Sequence, residues 1–377
     1  MLRVLYVEDT MTVYGGMERE LTDKIRWLTE HGDCQVFLLT VNQGSHPLVF
    51  PLPPKLEYAD LDMQLHSKYR YGGLRRLREE LYLRRLFRRR LREVFNRWQP
   101  DVIVCTRLDF VSAVLHAKGR VPLVFESHNS CLAWRFERYN WLQRLRFRYC
   151  TYLLKRSQMV VALTDGDAVE WRKRVPHVKV IPNIVEGNTT GCFSSHTQQS
   201  AIFVGRYTYQ KDVDSLLRIW RQVHQRHPDW QLHIYGDYGQ YMHLLMADAA
   251  SLNANVTVHQ PTTAIFDTYL QSSLLLLTSR FEPFGLVLPE AMSCALPVVA
   301  FDCPYGPSEI ISDGIDGFLV PQGNEEAYIS CVSKLIEHPE LRIKMGQEGV
   351  RSAKRYAADA IMPHWITLFR SLKYKNC

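Results

Sequence analysis

The chain has 377 residues, 46 Lys and Arg against 39 Asp and Glu, and a formal net charge of +7. That length accommodates two domains, and a hydrophobic fraction of 46% is ordinary for a folded globular protein. Nine cysteines are scattered without a C-x-x-C pair, which fits reduced thiols better than a disulfide scaffold or a zinc site. No apolar run reaches the roughly 18–20 residues of a membrane-spanning helix, and the opening Leu2–Val7 reads as a strand, not a secretory signal.

Val4–Val7 is the first expected buried strand. Tyr14-Gly15-Gly16-Met17-Glu18 follows, then an amphipathic helix through Leu21, Ile25 and Leu28. A glycine pair between strand and helix lets a ligand approach the backbone closely. The third glycine of a dinucleotide fingerprint is missing. Further strands are expected at Gln35–Val41, Asp101–Cys105 and Leu123–Glu126, and their alternation with helices argues for a parallel, doubly wound sheet.

His66–Trp98 is the charge anomaly. From Lys68 to Arg97 it carries Lys68, Arg75, Arg84, Arg88 and further arginines, with Leu74, Leu77, Leu81, Phe87, Leu91, Phe95 and Trp98 at helical spacing. The apolar stripe can pack on the sheet while the basic residues 68–97 meet an anionic membrane surface, each cation contributing about 1 kcal/mol. A second basic-aromatic stretch runs from Trp134-Arg135-Phe136 to Tyr149. Nucleic acid is the other partner such a surface suggests, but no nucleic-acid motif accompanies it and none is expected to bind. Between these stretches Glu126-Ser127-His128-Asn129 ends a strand, where ligands of open α/β sheets bind. His128 is placed there to meet a substrate hydroxyl or developing charge.

Residues 186–200 are small and polar and are expected to be a linker, giving domains of 1–185 and 201–357 and a terminal helical stretch, 358–377. The second domain opens on Ala201–Gly205, then Arg206 and Lys211, two cations able to meet a diphosphate, Arg bidentately. Leu232–Tyr235 leads to the turn at Gly236, and Val256–His259 is another strand. Leu274–Thr278 then runs into Ser279-Arg280-Phe281-Glu282-Pro283-Phe284-Gly285-Leu286-Val287-Leu288-Pro289-Glu290. A strand, a glycine turn and a helix start leave backbone amides of Gly285, Leu286 and Val287 free for phosphate. Glu290 shares a helix face with Leu286 and Val287, and Glu282 precedes the turn. Pro289 lacks an N–H, so the helix must begin near Leu286 or kink.

The run E-P-F-G-L-V-L-P-E-A-M from Glu282 resembles the E-x7-E signature of retaining glycosyltransferases of family 4, with Cys294–Ala300 and Gly306–Ile311 similar to members that build bacterial capsule and lipopolysaccharide. V-G-R…K-D at Val204–Asp212 resembles an element of the same family, and G-G-x-E at Gly15 and the strand Val178–Asn183 match it more thinly. The resemblance implies a GT-B, α/β fold: two Rossmann-like doubly wound domains facing across a cleft, the C-terminal helix crossing back to the first.

It also implies a cytoplasmic enzyme, peripherally attached to the inner face of the cell membrane. The enzyme would move a sugar, with retention, from a nucleotide-sugar, expected to be a UDP-sugar, to a lipid-linked or oligosaccharide acceptor. In it Arg206 and Lys211 meet the diphosphate, Glu282 the sugar, Glu290 the ribose, and backbone near Gly236, Val258 and His259 the base. Phe284 and Gly285 of the turn are expected to bind substrate; Gly15 and Gly16 lie near donor phosphate and acceptor. Asp60-Leu61-Asp62, Asp165-Gly166-Asp167 and Asp212-Val213-Asp214 match a metal-binding D-x-D by letter only, so no cofactor or essential metal is expected. A nucleotide-sugar epimerase of the same fold, or a non-catalytic membrane-associated binding protein, are the competing readings.

Overall fold

The computed structural model describes residues 1–374 apart from 32–33, 55, 133–139, 189, 238–245 and 247–254. Trp134-Arg135-Phe136 therefore lies outside the described residues. The chain forms two compact units. One comprises Met1–Leu163, Ala168–Ile181 and Ile361–Cys377; the other comprises Thr164–Asp167 and Pro182–Ala360.

The first unit is built on seven parallel strands: β1 (Leu2–Glu8), β2 (Cys34–Thr40), β3 (Glu57–Asp60), β4 (Val102–Cys105), β5 (Leu123–Glu126), β6 (Met159–Ala162) and β7 (Val178–Val180). Their order is β3-β2-β1-β4-β5-β6-β7. Val4, Leu5, Tyr6 and Val7 are all fully buried, as expected for a central parallel strand covered on both faces. The order reverses between β1 and β4, so the chain leaves their carboxyl ends in opposite directions and opens a crevice there.

The basic segment forms a helix, Gly73–Trp98, ended by Gln99 in a left-handed conformation. Its buried residues are Leu83, Phe87, Leu91, Phe95 and Trp98, one stripe at helical spacing. The expected stripe is shorter than its sequence pattern: Leu74, Leu77 and Leu81 are 86%, 55% and 47% exposed. The terminal helix, Ala358–Tyr374, groups with this unit from Ile361 onward. Trp365 and Phe369 are fully buried, and Lys373 Nζ lies 2.9 Å from Asp101 Oδ2. Among the described residues no helix is long and apolar enough to cross a membrane.

The second unit holds six parallel strands: β8 (Ser200–Val204), β9 (Gln231–Tyr235), β10 (Val256–His259), β11 (Leu274–Leu277), β12 (Val298–Asp302) and β13 (Gly317–Pro321), in the order β10-β9-β8-β11-β12-β13. Here the reversal falls between β8 and β11. The loops that carry Arg206, Lys211 and Glu282 leave those two strands. Residues 186–200 are not a free linker but part of this unit: Ser194 Oγ donates to Ser272 O at 2.5 Å and Arg342 Nη2 to His196 O at 3.0 Å. Small polar side chains look like a linker in sequence, yet here they satisfy backbone carbonyls of the folded unit.

Candidate functional site

The loop after β11 is fixed by backbone. Glu282 N–H donates to Pro304 O at 2.7 Å, while Tyr305 and Gly306 N–H donate to Glu282 O at 2.8 and 3.0 Å. Gly306 is required here: a Cβ on it would sit 1.7 Å from the Phe284 carbonyl oxygen. Gly285 has φ +96°, a conformation that side-chain-bearing residues rarely adopt. The helix that follows, Val287–Ser293, has Leu286 already in helical conformation. Pro289 therefore falls in the first turn, where its missing N–H leaves no broken bond. Leu288 N–H donates to Gly285 O and Glu290 N–H to Leu286 O, so the amides before Leu288 have no intrahelical acceptor.

The side chain of Glu282 is 4% exposed and lies 2.5 Å from Lys211 Nζ. The same oxygen, Oε1, accepts from Ser279 Oγ at 2.6 Å, while Oε2 has Gln210 Nε2 only at 3.5 Å. One carboxylate oxygen is thus committed to protein donors and the other remains the better acceptor for a ligand hydroxyl. Lys211 is placed by its neighbour: Asp212, at φ +48°, opens the helix Val213–Arg226, and its Oδ1 accepts from Arg280 Nη2 at 2.7 Å. Arg206 is exposed, at the end of β8, without an ion-pair partner among the described residues. Glu290 is 2% exposed, and its Oε2 accepts from Tyr269 O–H at 3.1 Å.

Other expected site residues divide. Phe284 does not offer its ring: it is 3% exposed and packs edge-on against Tyr356, centroids 5.1 Å apart, because an apolar ring beside so tight a turn is driven inward. Leu286 and Val287 are half-buried. Gly236 follows β9 directly. Val258 packs on the core of the unit, whereas His259 stacks on Tyr235 at 4.2 Å and its Nε2 lies 3.0 Å from His233 Nδ1. Ser279, Gln210, Tyr269 and Arg280 belong to the site and were not anticipated. A lone hydroxyl, amide or guanidinium without periodicity carries no signal of its own, and these meet Glu282, Glu290 and Asp212 only through folding.

In the first unit Gly15 precedes the helix Gly16–His31 and Gly16 opens it, with Arg19 N–H donating to Gly15 O. That helix buries Glu20 and Lys24 against Glu126 and His128 of the β5 end. Lys24 Nζ lies 2.9 Å from Glu20 Oε1 and hydrogen-bonds Glu126 Oε1; His128 Nε2 is 3.5 Å from that oxygen. Burial raises the Glu20 carboxyl, with Lys24 opposing. Burial pushes the His128 imidazole down to about 4, so it is neutral at physiological pH, a hydrogen-bonding group and not a cation. Glu20, Glu126 and His128 place ligand atoms within 4.8 Å of one another, the one such group among the described residues. The Lys24 ammonium already lies between the carboxylates and supplies the positive charge a metal would bring.

Two family models match in succession: Glycosyltransferase Family 4 over residues 14–187 and Glycosyl transferases group 1 over residues 193–351. The chain belongs to the group 1 glycosyltransferases of the GT-B fold. Among curated relatives, the amylovoran biosynthesis glycosyltransferase AmsD of Erwinia amylovora is 35% identical over 169 residues, 45% of this chain and 47% of the relative. The lipopolysaccharide 1,6-galactosyltransferase of Escherichia coli K12 is 24% identical over 353 residues, 89% of each. This chain thus spans about half of the first of these relatives and most of the second. Among solved structures, Staphylococcus aureus TarM, a mutant in complex with fondaparinux, alpha-GlcNAc-glycerol and UDP, aligns at a TM-score of 0.82 with 14% identity, covering 98% of this chain and 100% of that one.

Proposed function

We propose that this protein transfers a sugar from a UDP-sugar to a lipid-linked or oligosaccharide acceptor in bacterial cell-surface polysaccharide synthesis. The Lys211–Glu282 pair at the sheet's reversal point carries this reading. Cleaving a glycosidic bond to diphosphate puts charge on the leaving oxygens. Lys211 and the unpaired Arg206 follow one strand end and lie where that charge develops; preorganised cations of this kind are usually the largest catalytic term. Glu282 Oε2 accepts a hydroxyl of the sugar. Glu290, held by Tyr269, accepts from the ribose. The amides that precede Leu288 face the phosphate, and backbone at Gly236 and near His259 borders the base. Relatives named for polysaccharide and lipopolysaccharide synthesis, and TarM's complex with UDP, support the substrate classes.

Retention follows from the E-x7-E resemblance: the acceptor attacks on the face from which diphosphate leaves, and no protein nucleophile is needed. With two lysine and arginine cations serving the phosphates, no essential metal is required. The exposed Leu74, Leu77 and Leu81 among arginines seat the enzyme on the cytoplasmic face of an anionic membrane. The test is thermal stabilisation by UDP, GDP and ADP without metal. A hundredfold excess over Kd should add about 2.7 kcal/mol with UDP alone. A shift with GDP or ADP instead changes the donor, and no shift with any of them removes the reading.

A further inference from the structure

A cavity of 580 Å³ opens in the first unit at the carboxyl ends of β1, β2 and β4, where the sheet order reverses, and is roofed by the helices Gly73–Trp98 and Trp141–Leu153. Its volume lies in the range of sites for small organic ligands, well beyond one ion. Its walls carry Lys68, Arg84, Arg88, Arg107 and Arg146 against only Asp9, Glu80 and Asp109. The carboxylates are already engaged. Glu80 Oε1 lies 2.6 Å from Arg84 Nη2, Asp109 Oδ1 3.2 Å from Arg146 Nε, and Asp9 Oδ2 3.8 Å from Arg107 Nη2. The side chain of Arg88, half-buried on the cavity wall, makes no ion pair or hydrogen bond among the described residues.

We propose that this cavity binds a phosphate or diphosphate ester, the anionic part of the saccharide acceptor, through Arg88 with Arg84 and Arg146. A half-buried guanidinium without a counter-charge is costly to leave bare and its planar donor fork matches phosphate oxygens. Arg84 and Arg146 hold single carboxylates and keep donors to share. The exposed Tyr149 on the same walls offers a flat face to the adjoining sugar, while the Tyr69 ring is already covered by Lys68 and Arg76. This assignment rests on the transferase reading for the word acceptor, but the anion site itself does not.

The experiment is calorimetric titration of the full chain with inorganic pyrophosphate in saturating UDP, which occupies the cations of the second unit. Wild type is expected to bind. Arg88→Gln should weaken pyrophosphate about tenfold or more, the loss of charge-assisted hydrogen bonds, while its stabilisation by UDP is unchanged. Lys211→Ala should show the reverse pattern. Pyrophosphate binding that is absent, or insensitive to Arg88→Gln, overturns the site whatever UDP does. A failed UDP shift with Arg88-dependent pyrophosphate binding keeps the anion site and removes the transferase reading. Phosphatidylglycerol vesicles separate the two sources of phosphate. If Arg88→Gln reduces vesicle binding but pyrophosphate never binds, the cations serve membrane headgroups and the proposal falls.

Discussion

Lys211 and Glu282 lie 71 residues apart and meet at 2.5 Å, one side chain 15% exposed and the other 4%. An ion pair this far from water is stabilising only while both members are present, because either charge left alone pays its desolvation without return. The pair therefore couples the loop after β8 to the loop after β11. Lys211→Ala should lower turnover about 10²-fold or more, the scale for removing one charge-stabilising donor. It should also lower stability by roughly 2–3 kcal/mol, somewhat below a fully buried pair because Lys211 keeps some water contact. Adding Glu282→Gln should recover most of the stability and none of the turnover. Steady-state rates and urea unfolding of the three variants measure both, and near-normal turnover in Lys211→Ala takes that residue out of the site.

Gly306→Ala tests the backbone frame. Its Cβ would meet the Phe284 carbonyl at 1.7 Å, a backbone atom that no rotamer change can move away. The bridge between Glu282 and Tyr305 must then shift, and Glu282 with it. We expect a loss of at least about 3 kcal/mol in unfolding free energy and loss of UDP stabilisation. Gly314→Ala is the control for backbone strain alone: its φ is +73° but nothing lies within 4 Å of its Cβ. It should cost only about 1 kcal/mol and leave UDP binding intact.

The alternation of buried runs such as Val4–Val7 and Leu274–Leu277 with amphipathic stretches was legible, because a strand covered on both faces must be apolar throughout. Glu282, Lys211 and Glu290 were legible as charges at the ends of such runs. Strand order was not: nothing local says that β1 pairs with β4 or β8 with β11. The partners Ser279, Gln210 and Tyr269 were invisible for the same reason. Phe284 misled, since an aromatic beside a glycine turn reads equally as a ligand platform or as a core residue, and only Tyr356 decides between them. Helical spacing also overstated the buried stripe of the basic helix, because period shows which face is apolar and not how far the partner surface extends.

Glu8 gives a pH signature. It is fully buried at the end of β1, accepting from Asp9 N–H and from the Thr106 hydroxyl, and burial outweighs these bonds to raise its carboxyl from 4.5 to about 7. Between those values the folded chain keeps a proton that the unfolded chain has released. Its contribution is therefore complete below pH 4.5 and is lost as pH rises through 7. His128 acts in the opposite sense: its neutral form contributes fully above 6.5, and that contribution is lost as pH falls toward 4. Glu8→Gln isolates the first term. Wild-type stability relative to this variant should fall by roughly 3 kcal/mol between pH 4.5 and 7.5. Urea unfolding across that range measures it, and a constant difference rules out the buried proton.

The membrane face is tested away from the cavity. Leu74, Leu77 and Leu81 are exposed on one basic helix, and Trp141, Leu142 and Leu145 are exposed on another that also carries Arg144 and Arg148. Burying an exposed leucine in the interfacial region contributes through its apolar area, and nearby cations add about 1 kcal/mol each on an anionic surface. Leu74→Glu with Leu77→Glu removes two insertions and adds two repulsive charges, without touching the buried stripe from Leu83 onward. Flotation with phosphatidylglycerol vesicles should show wild-type binding reduced at least tenfold, an unchanged melting temperature, and weaker binding at high salt. Full retention on the vesicles by the double variant assigns these leucines to another surface contact and leaves the helix as a support for the sheet.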